Sequence, residues 1–130
     1  MRYLVKILPA LIALLFLVMG ISFVFDPVAG AEQVSVTALG ADGLNTIRGD
    51  LGGLFLGSAL LLVLGIVRSE APWLISVAVF MLVIAAGRAL GFVLDGSPSS
   101  ATLTAFGFEL VIAAALFYSS KRIEATSATG

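Results

Sequence analysis

"GRALGFVLDGSPSSATLTAFGFEL", residues 87–110, decides how this chain is read. Two apolar segments flank a Gly/Pro/Ser turn, and each carries one misplaced charge, Arg88 in the first and Glu109 in the second. A turn of that composition between apolar runs marks the tip of a hairpin. Arg88 lies six residues before the end of its run and Glu109 seven residues into the next. At 1.5 Å per residue, both stand roughly 9–10 Å from the same surface. A charge within a membrane span costs several kcal/mol unless it faces other protein or pairs. The pattern therefore predicts an interhelical ion pair, Arg88 with Glu109.

Composition agrees with a lipid setting. The 130 residues are 60% hydrophobic and 12% charged, with a mean hydropathy of +1.15. A soluble domain is about half apolar and about a quarter charged. The length allows one domain and no separate soluble module. A net charge of -1 provides no basic stripe for phosphates, which excludes nucleic acid as a partner. Cysteine and histidine are both absent. That removes disulfides, thiolate nucleophiles, haem attachment, the usual zinc sites and any Ser-His-Asp triad.

A bilayer core is crossed by about 20 apolar helical residues. Four stretches qualify, at about 7–25, 48–67, 73–94 and 102–118. The predicted fold is all-α, an integral membrane four-helix bundle running up-down-up-down over residues 1–119, with a polar, frayed tail at 120–130. "DPVAGAEQVSVTALGADGLN" (26–45) reads as a polar, Gly-rich connection, "RSEAP" (68–72) as a tight one, and "DGSPSS" (95–100) as the hairpin turn. Arg2, Lys6, Arg68, Lys121 and Arg122 fall on one side of such a chain, and Asp26, Glu32, Asp42 and Asp95 on the other. Basic residues stay inside, so both termini are predicted to be cytoplasmic. Trp73 and Tyr118 sit near the same boundary, as interfacial aromatics do. One competing reading exists for the first span. "MRYLVK", the apolar run and "AGA" (29–31) also resemble a secretory signal with a small-x-small cleavage site, although the run exceeds the usual 7–15 residues. Cleavage would leave three spans in unchanged orientation.

Further charges appear on the outer side. Asp95 is two helical turns beyond Arg88, and Arg48 and Asp50 open the second span. The expectation is a cluster of five, Arg48, Asp50, Arg88, Asp95 and Glu109, in the outer half of the bundle. Each has a plainer use. Asp50 suits the positive end of a helix dipole, with Asn45 or Thr46 as cap. Arg48 can snorkel to headgroups, and Asp95 is a turn residue before Gly96. Arg88 and Glu109 lie deeper, and their alternatives are a structural pair that fixes helix register or a site for a ligand or ion.

Gly49, Gly53 and Gly57 recur every four residues, and Gly87 and Gly91 repeat the spacing beside Arg88. Small-xxx-small patterns let helices approach closely in lipid. Packing within the chain is expected of them, with a homodimer seam or room for a ligand as the other uses. "GDLGG" (49–53) is no phosphate loop, because it lacks the Gly-Lys-Ser/Thr ending and a preceding strand.

"RGDLGGLFLG" (48–57), "GRALGFVLDGSP" (87–98) and the lone acid in "FELVIAAAL" (108–116), in that order, resemble a family of small bacterial four-helix membrane proteins, domain of unknown function 4345. The likeness runs from the first span to Tyr118. It implies a multi-pass protein of the bacterial inner (plasma) membrane with Arg48, Asp50, Gly52, Gly53, Arg88, Asp95, Gly96 and Glu109 in signature places. It implies no activity.

Three functions remain to compare. One is a non-catalytic scaffold or accessory protein whose buried charges specify the bundle. Another is binding or transport of an anionic lipid headgroup, a quinone-like molecule or a proton at the charge cluster. The last is an intramembrane enzyme with Asp50 and Glu109 as acid and base. No nucleophile–base pair or metal set supports the enzyme, and Asp50, Asp95 and Glu109 make a weak cation site. The scaffold leads, with no catalytic residue, metal or cofactor, and with the lipid bilayer, a second copy or another membrane protein as partners.

Overall fold

Apolar runs of this length satisfy their backbone polar groups in lipid by forming helices, and the computed structural model, which describes residues 4–128, is helical throughout its regular elements. They are α1 (Leu4–Phe25), α2 (Pro27–Gln33), α3 (Gly40–Thr46), a π-helical segment (Ile47–Gly52), α4 (Gly53–Arg68), α5 (Ala71–Leu94) and α6 (Ser100–Ser127). The α3, π and α4 segments join into one helical run, Gly40–Arg68. That run, α1, α5 and α6 are each long and apolar enough to cross a membrane. Arg2, part of the orientation argument, lies outside the described residues.

Helix α1 packs on α4, α4 on α5, α5 on α6 and α6 on α1. Inward positions recur at three- and four-residue steps, as a helical face demands. Phe16 of α1, Leu62 of α4, Leu74 and Val77 of α5 and Leu116 of α6 are fully buried in one cluster. Phe55 links α4 to α1 twice, edge-on to Phe16 at 5.3 Å and stacked with Phe23 at 5.4 Å. The opposite faces are just as apolar but exposed, as with Leu11, Leu14 and Val18 on α1 and Val79 and Val83 on α5. Helices that are apolar all round belong in lipid or in a large core.

The connection at 26–45, expected as loop, is largely helical. Asp26 caps α2, its side chain accepting from the Ala29 amide at 3.3 Å, and Pro27 occupies the first turn. Both are helix-start signals. Ala31 and Ile47 then close over Phe23 in a second small core.

The polar tail also differs from expectation, because α6 continues to Ser127. Ser119, Ser120 and Ile123 are buried. They prolong the inward row of Glu109, Ile112 and Leu116, and the Ser120 hydroxyl donates to the Phe117 carbonyl at 2.8 Å. Packing of that row holds the helix where composition alone predicted fraying.

The glycines expected to pack do not. A Cβ at Gly49, Gly53, Gly57 or Gly87 would meet nothing within 4 Å, and one at Gly91 meets only the Asp95 carboxylate at 3.4 Å. Close approach falls to other glycines. A Cβ at Gly20 would lie 2.6 Å from Leu56, one at Gly52 2.7 Å from Val24, and one at Gly65 would collide with Leu74. The reason is rotational. Gly52, Phe55, Ser58, Leu62 and Gly65 form the inward face of the second long helix, where Phe55 and Leu62 fill the core and the glycines admit Val24 and Leu74. The Gly49–Gly53–Gly57 row lies off it and faces outward.

Candidate functional site

The α5–α6 hairpin builds the deepest polar contact. At its tip the Asp95 amide donates to Gly91 at 2.8 Å, closing α5. Gly96 follows with φ of +101°, a conformation open to glycine and strained for other residues. Ser99 then caps α6, accepting from the Thr102 amide at 3.3 Å. This short turn fixes the register of the two helices. It brings Arg88 Nε to donate to Glu109 Oε1 at 2.7 Å, the ion pair that the depth argument predicts.

Two aromatic rings stand on the hairpin-tip side of the pair. Phe92 lies four residues after Arg88 and Phe106 three before Glu109, so both stand one turn further out, where their rings meet edge-to-face at 5.4 Å. Nothing in the charge pattern signalled this ring contact, although the two spacings were readable. Glu109 is 9% exposed, and the Arg88 side chain is 28% exposed. The contact uses one carboxylate oxygen. Glu109 Oε2 is buried with no hydrogen-bond partner among the described residues. A fully paired Arg–carboxylate fork would engage both oxygens, and a buried acceptor left unpaired costs about 1–3 kcal/mol.

The expected cluster of five charges does not form. Arg48 Nε instead donates to the Val24 carbonyl at 2.9 Å, in the last turn of α1. The final carbonyls of a helix lack intrahelical donors and carry its negative dipole end, so a cation nearby is drawn there. Asp50 lies exposed on the π segment. Asp95 is exposed too, its carboxylate turned back over Gly91 of its own helix. Among the described residues no group of three His, Cys, Asp or Glu side chains is placed to hold a metal ion.

Lys6 has a role that the charge count missed. Its Nζ donates to the Ile66 carbonyl at 2.7 Å and to Ser69 Oγ at 2.8 Å, at the end of α4. Ser69 stands in the left-handed region with φ of 56°, a helix-ending conformation in which the Glu70 amide turns back to the Gly65 carbonyl at 3.1 Å. A polar residue at such an end was the available signal.

These contacts also set levels. Gly52 touches Val24, and Gly65 touches Leu74. Counting equal numbers of residues up α4 from Gly65 to Gly52 and up α5 from Leu74 brings Gly87 and Arg88 level with Gly52. The Arg88–Glu109 pair thus lies in the layer of Val24, near the end of α1. Beyond it α5 continues six residues to Leu94, and α6 begins nine residues before Glu109.

Comparison with known proteins gives one match. The family model described as Domain of unknown function (DUF4345) matches residues 4–119. No curated protein and no solved structure matches the chain. The matched region carries Lys6, Arg48, Arg88 and Glu109 together with the greater part of every membrane-length helix, and the chain belongs to this family of unknown function.

Proposed function

We propose that the protein is a multi-pass protein of the bacterial inner membrane that acts as a non-catalytic scaffold or accessory protein. In this reading the four long helices cross up-down-up-down as a bundle, with both termini cytoplasmic and the Arg68 turn beside them. The observation that carries it is how the cations are used. Lys6 ties α1 to α4 at one end, Arg48 ties the same two helices at the other, and Arg88 ties α5 to α6. Each brace joins two helices, and the braces do not converge on one point. A partner of such a scaffold is another membrane protein or a second copy, held through the outward faces.

One observation favours a second reading. Glu109 Oε2 is a buried acceptor without a donor, which suits a proton or the polar group of a small ligand, lipid headgroup or quinone. Native mass spectrometry of the protein released from membranes separates the two. The scaffold reading expects a partner chain that survives Glu109→Gln. A small-molecule mass lost on Glu109→Gln would replace it with the second.

A further inference from the structure

Helix α2 does not continue outward from α1. A Cβ on Gly30 would lie 3.0 Å from the Cα of Phe23 and 3.1 Å from its nitrogen. Gln33 Nε2 donates to Ser22 Oγ at 3.5 Å. These contacts put α2 beside the last turn of α1, doubled back along it. That turn shares its level with Arg88 and Glu109, and α5 and α6 rise roughly 9–13 Å further. The short helix therefore lies within the height of the membrane-length helices.

Of its exposed residues Val28 is apolar and Glu32 and Gln33 are polar, and Phe25, the last residue of α1, is exposed beside it. Phe25 is 79% exposed and Val28 55% exposed. Phe25 ends the exposed row Leu11, Leu14, Val18 and Ile21 of α1, and Val28 follows just past the break at Asp26. Gly30 and Ala31 turn inward to Phe23, while Glu32 and Gln33 at the C-terminal end are exposed. A short helix with one apolar edge and a charged end is suited to the headgroup–acyl boundary.

We propose that α2 is an interfacial helix seated in the outer rim of the bilayer, with Phe25 and Val28 against acyl chains and Glu32 held among headgroups. This rests on the membrane reading given above. The occupant of the exposed edge is lipid, because Phe25 ends the lipid-facing row of α1 and Val28 adjoins it at the same level as flanking helices that are themselves apolar.

The test uses the full chain in liposomes of bacterial phospholipid. The native sequence has no cysteine, so single variants Leu14→Cys, Phe25→Cys, Val28→Cys and Asp42→Cys each carry one nitroxide label. All four positions are exposed. Collision with oxygen, which concentrates in lipid, is compared with collision with a water-soluble nickel chelate. The oxygen-to-nickel ratio at Phe25 and Val28 is expected to be several-fold above that at Asp42 and to approach that at Leu14. Ratios equal to the Asp42 value would overturn the proposal and leave the membrane reading intact. Labels at Phe25 and Val28 shielded from both reagents would overturn it in favour of a covering protein, such as a second copy. A nickel-accessible label at Leu14 would instead remove the membrane reading itself.

Discussion

Lys6 and Arg48 are reciprocal. Lys6, near the start of α1, donates to a carbonyl in the last turn of α4, and Arg48, at the head of the run that becomes α4, donates to a carbonyl in the last turn of α1. The last turn of α1 has no basic residue of its own and receives Arg48, while the last turn of α4, which already carries Arg68, receives Lys6 as well. The arrangement also requires that the first turns of one lie beside the last turns of the other.

Removing either brace leaves a helix-end carbonyl without its donor. Lys6→Met is expected to destabilise by about 1.5–3 kcal/mol, the range for hydrogen bonds to charged groups. Arg48→Met should cost less, because Arg48 is exposed and makes one bond where Lys6 makes two. The two sites sit at opposite ends of the helix pair, so their effects should add. Thermal unfolding of the single and double variants in detergent measures all three.

Breaking the Arg88–Glu109 pair from one side strands a charge in an apolar layer. Arg88→Glu and Glu109→Arg should each cost about 3–5 kcal/mol. The double exchange restores opposite signs and should return most of that loss, although the two side chains differ in length. Equal stability of the double variant and the worse single variant would deny the pair its register-fixing role.

The glycines divide by what surrounds them. Gly65→Ala drives a methyl into Leu74, with Trp73 Cβ at 3.0 Å and the Glu70 carbonyl at 3.2 Å. A loss of about 1–3 kcal/mol follows from overpacking against neighbours of which one is backbone. Gly53→Ala and Gly57→Ala meet open space and should be neutral or stabilising by up to about 1 kcal/mol through helix propensity. If these two substitutions dissociate an oligomer on a sizing column instead, the outward row is a seam between chains.

Ile123 tests the continuation of α6. It lies in the part of the chain that composition marks as tail, yet it is buried in the main core. Ile123→Ala should cost about 2–5 kcal/mol, as other buried Ile→Ala changes do. Lys121→Ala, two residues away and exposed, serves as the control, with an expected change within about 0.5 kcal/mol. Melting temperatures of the two variants, measured side by side, decide the matter.

What the sequence determined by itself was local. Four apolar runs of membrane length are a property of composition, and each forms a helix, which satisfies its backbone polar groups within its own segment. The pairing of Arg88 with Glu109 was legible because a turn of only five residues separates their helices, so depth could be counted from a common tip. Tertiary structure decided everything that depends on rotation about a helix axis or on where α1 stops. Gly49, Gly53 and Gly57 share one face in any helix, but only the placement of Phe55 and Leu62 in the core turns that face outward. Arg48 joins α1 and not Glu109, because the end of α1 presents bare carbonyls at that level. Spacing along a chain encodes faces and depths, whereas the choice between neighbours is made by which unsatisfied group lies nearest after packing.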